Sequence, residues 1–580
     1  SPAVLRTSAG FITNLVNTAT AGNIASLNSY VDGSRVKYSF TPVLPSADPT
    51  NLTFTAVSNS AMTLNWNDNA SNERGYVIYR SDDGGLTYNF ISQTGANITS
   101  AVQSALSPAT TYFWKVYAVT EGALSNPVTG SQATDACLGT SLNTLTFTGG
   151  AGATVNWSTA AWSLGVPTAC QDVEISFVSS ADLTATYVVN MDMPVTVNNL
   201  TIKGDYGGTG AKVLQIQTNG RSLNVLGNLN MSTTGGTGFA SAGNLVNFFA
   251  STGSVITVNG NTTIGNIGDT KTTRFGGATS PANQDPQFYF RGNVTFNDNG
   301  TTSFPGTYLF DGGANQVITN NCASSSARFG EVEIGKFKAT TLTITGSYAF
   351  NTHADTRNLI VNEGSTLVLP NNSAFNQFVP NRGAFILKAN ATLKLGDNSG
   401  GLTGSNFPLN YIFISIDKNS TVEYNALSPA DQVIYTSLAY GNLVLSNSSR
   451  KSINGVLTID GNFSNNAGST FGCDFQTLFN GANFINHGIV DGLSANSDFK
   501  FYGSIPQSYS GTGSFGNPAV PFGGWGTGIY NHTGVTLNAP IYTNRVNLFN
   551  GLVTNSNNFH IGPAPFSMGQ RAGVTEEHPG

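Results

Sequence analysis

Three short stretches carry residue types that could do chemistry. In "NTHADTRN" (residues 351–358), His353, Asp355 and Arg357 alternate, so on an extended chain all three project to one side. In "NHGIVDG" (486–492), His487 and Asp491 share the same parity, and in "GEVEIG" Glu331 and Glu333 share one face. Paired carboxylates, or a carboxylate beside a base, are what cleavage of a glycosidic bond requires, and clustered acids can hold Ca²⁺. Each stretch also has a plainer reading: a polar turn, a solvated strand edge and a pair of exposed rungs. We take those plainer readings. "NWNDNASNERG" (65–75) is rich in Asp and Asn but lacks the D-x-D-x-D-G spacing of a calcium loop, and reads as a hairpin loop. There is no GxSxG, HExxH or Walker loop. The expectation is therefore no catalytic residue, no cofactor and no metal.

The most patterned polar residues are three glutamines. "YLFDGGANQVI", "VEYNALSPADQVI" and "FKFYGSIPQSY" each place a Gln after a strand and a turn, at Gln316, Gln432 and Gln507. Amides there suit the bends of a coiled backbone, where they can satisfy main-chain groups. A ligand-binding role would require their side chains to lie exposed along one line.

The elements that position these residues must be strands. Only 10% of residues are charged, far below the usual quarter, while 39% are hydrophobic. Gly, Asn, Ser and Thr replace the Lys, Glu, Arg and Asp that helices need on their wet faces. A net charge of −6 excludes a basic nucleic-acid-binding surface. No apolar run reaches the length of a membrane-spanning helix. Four cysteines without a close pair make neither a disulfide scaffold nor a zinc site.

Between Asp48 and Gly122 the pattern is that of a sandwich. Met62, Leu64 and Trp66 alternate on one face, and "SDDGGLTY" supplies a hairpin turn. "LSPATTYFWKVYAVTEG" places Leu106, Pro108, Thr110 and Tyr112 as in Leu-x-Pro-x-Thr-x-Tyr. The segment resembles fibronectin type III modules. That resemblance implies Trp66 as the core tryptophan and Tyr112 as the tyrosine corner of a domain spanning 48–135. Residues 1–47 read as the tail of a preceding module followed by a linker, with one or two strands in "VDGSRVKYSFTPVLP".

Beyond Cys137 the texture changes. "LNVLGN", "ITVNGN", "FYFRGN" and "LTIDGN" repeat one pattern around Gly227, Gly260, Gly292 and Gly461, at uneven spacing. Strands this short cannot bury an apolar face alone, but stacked in parallel at about 4.8 Å they share one core. Gly and Asn would serve turns that need positive φ, and stacked Asn, Ser and Thr can ladder without the repulsion stacked charges bring. We expect residues 136–580 to form a parallel β-solenoid: at about 22 residues per coil, some 20 coils and a rod near 100 Å. "NWSTAAWSLGVPTACQDVEISF" resembles the cap-and-first-strand signature of bacterial β-helical surface proteins. This implies a cap over about 137–180, with Trp157 and Trp162 plugging the open end of the core. Cys137 and Cys170 flank this segment and either pair as a disulfide, as an oxidising exterior would permit, or stay unrelated thiols. Cys322 and Cys473 read as buried singles.

The sandwich phrase, "VNNLTI" and "GVTLNAP…VNLFNGLVTNSNNFHIG" resemble large surface proteins of type 9-secreting bacteria, including gliding-motility adhesins. These proteins end in a sorting domain or a longer array. "QRAGVTEEHPG" shows neither, so the chain reads as a fragment or a processed form. The resemblance implies an extracellular or cell-surface adhesin or stalk module. Its partners would be glycans, surfaces, secretion components or another adhesin, with no nucleic acid and no transmembrane segment. "NQFVPNRGAF" (376–385) and "PFGGWGTGIY" (521–530) are candidate aromatic loop platforms. The alternatives are a β-helical polysaccharide lyase or glycosidase, and a mechanical spacer or accessory subunit of a surface filament. Convergence of three or more ionisable side chains in one groove would favour the enzyme; dispersion is expected.

Overall fold

The computed structural model describes residues 4–562 apart from 7–11, 15–23, 33–34, 43, 82–83, 105, 121–122, 138, 149, 180–183, 207–211, 235–244, 266–271, 278–285, 298–302, 314, 322–326, 347–349, 353–356, 371–374, 378–380, 397–405, 428–430, 493, 517–521 and 523–525. The described residues form strands almost throughout, with a single 3-10 turn at Ser556–Asn558. Two compact units result: Ser1–Leu142 with Thr168–Asp172, and Asn143–Pro167 with Val173–Gly580.

The first unit holds a two-sheet sandwich. Thr50–Thr55, Met62–Asn67 and Ser100–Gln103 make a three-stranded sheet. Gly75–Ser81, Asn89–Gln93, Thr111–Thr120, Ala123–Leu124 and Val128–Ala133 make the five-stranded one. Alternation sends Met62, Leu64 and Trp66 inward to meet Tyr76, Ile78, Tyr112, Trp114 and Val116. Trp66 packs against Tyr76 at 5.3 Å, and the Tyr112 hydroxyl accepts a bond from Ser107 N–H at 2.8 Å, pinning the chain five residues upstream. Ahead of the sandwich, Ile24–Asp32 and Arg35–Pro42 form an antiparallel hairpin. Cys137 and Cys170 are joined in a disulfide.

The second unit is a parallel β-solenoid. One sheet of seventeen strands runs its whole length, from Ser141–Phe147 to Val553–Thr554. Shorter sheets of five and eleven strands complete the early coils, and sheets of seven and six strands complete the late ones. The seventeen rungs among the described residues fall short of the expected 20, because the coils are uneven and mostly longer than 22 residues. Thr262 stacks on Leu229, 33 positions earlier, whereas Val553 stacks on Val535, 18 earlier. Sixteen steps of about 4.8 Å give a stack about 77 Å long rather than 100 Å.

Register keeps the core continuous despite the uneven coils. Leu367, Leu393, Val422, Leu443, Phe463, Phe484 and Tyr509 are successive partners pointing inward, all buried. Phe463 stacks on Phe484 at 4.4 Å, and Phe484 meets Tyr509 at 5.1 Å. A coil slipped by one residue would turn this whole column outward. At the N-terminal end Trp157 and Trp162 are buried in this core, ring centroids 4.7 Å apart, with Trp162 Nε1–H donating to Trp157 O at 2.8 Å.

The recurring Gly-Asn pairs correct one expectation. None of Gly227, Gly260, Gly292 and Gly461 has positive φ. Their requirement is space. A Cβ on Gly260 would lie 2.5 Å from Gly227 O, and one on Gly292 2.2 Å from Gly260 O. A Cβ on Gly461 would lie 2.6 Å from Gly441 O. Glycine stacks on glycine so that the following asparagines can ladder. Asn228 N–H donates to Asn199 Oδ1 at 2.7 Å, Asn261 to Asn228 at 2.8 Å, Asn293 to Asn261 at 2.9 Å and Val317 to Asn293 at 2.9 Å. Left-handed φ occurs at other asparagines, Asn219, Asn390 and Asn447 among them.

Candidate functional site

The three glutamines all sit at coil corners: Gln316 and Gln507 enter the seventeen-stranded sheet, whereas Gln432 enters the seven-stranded one. Each is the first residue of its strand, and each amide bridges two coils. Gln507 Nε2 donates to Phe479 O and Gly481 O, both at 2.8 Å, while Gly503 N–H donates to its Oε1 at 3.3 Å. Gln432 makes the same kinds of bond in a different spacing, to the adjacent Leu395 O (2.9 Å) and Gly396 O (2.8 Å) and from Ala426 N–H (3.1 Å), six residues back. Gln316 repeats the Gln507 pattern with Phe290 O (2.9 Å), Gly292 O (2.6 Å) and Gly312 N–H (3.1 Å). All three are buried and consume their own bonding capacity.

Of the candidates for chemistry, His353 and Asp355 lie outside the described residues, and Arg357 is buried. His487 and Asp491 take different partners. The histidine Nδ1 meets Thr512 Oγ1 at 2.9 Å, whereas Asp491 binds Arg450 at 2.7 Å. Glu331 and Glu333 alternate with the core residues Val332 and Ile334, but they are not the exposed rungs expected: Glu333 is buried and Glu331 half-buried. Burial and the neighbouring Glu333 push the Glu331 carboxyl upward, while Lys336 binds Glu333 at 2.8 Å and Asn358 donates to Glu331 at 3.1 Å.

Ionisable groups do converge, against the expected dispersion: around Glu331 and Glu333 with Lys336, and most closely around Arg450. Arg450 binds Asp431 (2.9 Å), Asp474 (2.7 Å) and Asp491 (2.7 Å), with Nε also 3.1 Å from Asp491 Oδ2. Its guanidinium crosses directly over Gly472, where a Cβ would sit 2.3 Å from Cζ. The cluster spans four coils and spends five guanidinium hydrogen bonds on carboxylates, so Arg450 works as a clasp between rungs. No group of His, Cys, Asp or Glu among the described residues is arranged to hold a metal ion.

A second outward region lies on the six-stranded sheet. Register places Gln476 beside Asp498, and Leu478 beside Lys500 and then Gly528. Asp498 is only 7% exposed. Its Oδ2 accepts from Gln476 Nε2 at 3.0 Å and pairs with Lys500 Nζ at 3.2 Å, while its Oδ1 has no hydrogen-bond partner. A cavity of about 370 Å³ opens here, lined by Val456, Phe475, Gln476, Asn496, Asp498 and Lys500. Beside it runs an exposed aromatic ladder. Tyr502 meets Tyr530 at 5.7 Å, and Tyr530 stacks on Phe549 at 4.1 Å. Gly528 leaves the floor on which the Tyr530 ring lies, since a Cβ there would be 2.7 Å from Tyr530 Cε2. Lys500 lies over the same ring at 5.0 Å and so joins cavity to ladder. Tyr530 comes from the "PFGGWGTGIY" segment, where residues 521 and 523–525 lie outside the described residues; in "NQFVPNRGAF" residues 378–380 do. Single-sequence reading missed Asp498, Lys500, Tyr502 and Phe549, because their neighbours are set by coil stacking and share no motif.

Comparison with known proteins adds a family for one segment. Residues 47–131 match the family model "Fibronectin type III domain". The chain is similar in part to the solved FN3 domain of human collagen XX: 23% identity over 16% of this chain and 98% of that one, TM-score 0.15. It is likewise similar to the fn3 domain of human contactin 1, at 21% identity over 21% and 96%, TM-score 0.16. A third structure, FN3tt, shows 30% identity over 15% and 92%, TM-score 0.14. No curated protein matches the chain. By sequence and by strand order, then, residues 47–131 are a fibronectin type III domain, set ahead of a parallel β-solenoid.

Proposed function

We propose that the chain is a non-catalytic module of a secreted or cell-surface protein, an adhesin or stalk that meets glycans or surfaces through its long outer faces. The observation carrying this reading is the seventeen-strand ladder with one continuous core. Such a stack is rigid along its axis and offers extended faces instead of one deep cleft. The fibronectin type III domain, a module typical of extracellular proteins, and the Cys137–Cys170 disulfide agree with an oxidising exterior. The motif resemblance extends the proposal to the surface proteins of type 9-secreting, gliding bacteria.

The test is to offer the purified chain glycan arrays, polymers and intact cell surfaces while assaying the same polymers for cleavage. Binding without cleavage supports the adhesin. No binding anywhere overturns it in favour of a spacer. Release of reducing or unsaturated ends overturns it in favour of a β-helical carbohydrate-active enzyme, the reading favoured by the raised Glu331 carboxyl beside Glu333. In that case Glu331→Gln abolishes the release.

A further inference from the structure

We propose that the cavity at Asp498 and the adjoining aromatic ladder form one binding site for a neutral, hydroxyl-rich glycan; this rests on the adhesin reading above and gives it a place. The unpartnered Asp498 Oδ1 is the strongest single observation. A carboxylate oxygen at a position 7% exposed, without a hydrogen bond, forgoes solvation that burial normally requires to be replaced. Asp498 lines a cavity of about 370 Å³. The group that answers it is a donor, and the surroundings choose which donor. Lys500 already neutralises the carboxylate at 3.2 Å, so a second full cation would meet like charge, and an anionic sugar would meet the carboxylate itself. A sugar hydroxyl donates to Oδ1 without either cost. It can in turn accept from the amides of Gln476 and Asn496 or from the Lys500 ammonium, all of which line the same cavity.

The apolar part of the site fits the same ligand. Phe475 (37% exposed) and Val456 wall the cavity, and Tyr502 and Phe549 remain 50% and 43% exposed on either side of Tyr530. Flat rings exposed in a row offer stacking surface to the C–H faces of pyranose rings. From the Asp498 coil to the Phe549 coil is two inter-strand steps, about 10 Å, so the platform suits an oligosaccharide more than a single sugar. Gly526 and Gly528 follow Asp498 and Lys500 in register, and the absence of a Cβ at Gly528 lets the Tyr530 ring lie back against Lys500, which joins the ladder to the cavity.

The experiment is a neutral-glycan array with the whole chain, followed by titration of the best oligosaccharide against wild type, Asp498→Asn, Tyr530→Ala and the distant, exposed control Glu363→Gln. We expect each site variant to weaken binding at least tenfold with unchanged thermal unfolding, and the control to match wild type. If the oligosaccharide binds both site variants as tightly as wild type, the site is wrong while the adhesin reading stands. Exclusive binding of sulfated or uronate glycans likewise overturns the neutral ligand alone. Failure to bind any glycan, polymer or cell surface overturns both.

Discussion

Replacing Gln507 with leucine keeps the volume and removes three buried hydrogen bonds at a coil corner. Phe479 O retains the Tyr502 N–H at 2.8 Å, so its loss is partial. The Gly481 carbonyl and the Gly503 N–H are stranded. At about 1–3 kcal/mol for each buried group left unpaired, the coil should lose about 4 kcal/mol. Gln507→Glu should cost at least as much, because it sets an acceptor against two carbonyl oxygens 2.8 Å away. A solenoid opens locally, coil against coil, so amide hydrogen exchange followed by mass spectrometry is the fitting assay. About 4 kcal/mol corresponds to exchange roughly 10³-fold faster in the peptides covering residues 479–481 and 503–509. Gln316→Leu and Gln432→Leu should accelerate their own coils and leave this one alone, as separated sites add independently. Exchange within threefold of wild type in both Gln507 variants would refute the reasoning and reduce the three amides to bystanders.

Three further outcomes follow from the same coordinates. Gly260→Ala sets a methyl 2.5 Å from Gly227 O and should destabilise its coil by about 1–3 kcal/mol, whereas Gly95→Ala, meeting only Ile98 at 3.9 Å, should be tolerated; exchange rates at both positions decide. Arg450→Met leaves Asp431, Asp474 and Asp491 without their shared cation, and should cost about 2–4 kcal/mol in denaturant titrations, partly restored by high salt. Burial pushes the Cys473 thiol up to about 12, so it should resist thiol reagents at pH 8–9 until the chain unfolds. Because the folded value lies above the unfolded one, the stability this thiol supplies is complete below about pH 9 and is lost as pH rises toward 12. The advantage of wild type over Cys473→Ala should therefore shrink across that range.

The fold was legible where local chemistry and stacking agree. Five-residue apolar pulses, low charge and Gly-Asn punctuation left parallel stacking as the way to share a core, and Leu-x-Pro-x-Thr-x-Tyr marked the sandwich at Tyr112. The glutamines stood out because each must sit at a bend. The purpose of the repeated glycines was misread, since φ belongs to one residue but crowding belongs to two coils. Gly260 is indispensable only because Gly227 lies beneath it, 33 positions earlier. The coil count was overestimated for a related reason: apolar periodicity marks strands, while the corners between them vary in length without disturbing any inward column.

That tolerance also explains why the candidate glycan site has no sequence signature. Gln476 lies beside Asp498 across 22 positions, and Gly528 beside Lys500 across 28. A motif needs fixed spacing, whereas the outer face of a solenoid is assembled from residues one variable coil apart. The inward columns cannot change this way, because any slip exposes Phe463, Phe484 and Tyr509 together. Outward positions carry no such penalty. Substitution at Tyr502, Tyr530 or Phe549 should therefore alter binding with little effect on the ladder, and a solenoid can change its ligand without changing its fold.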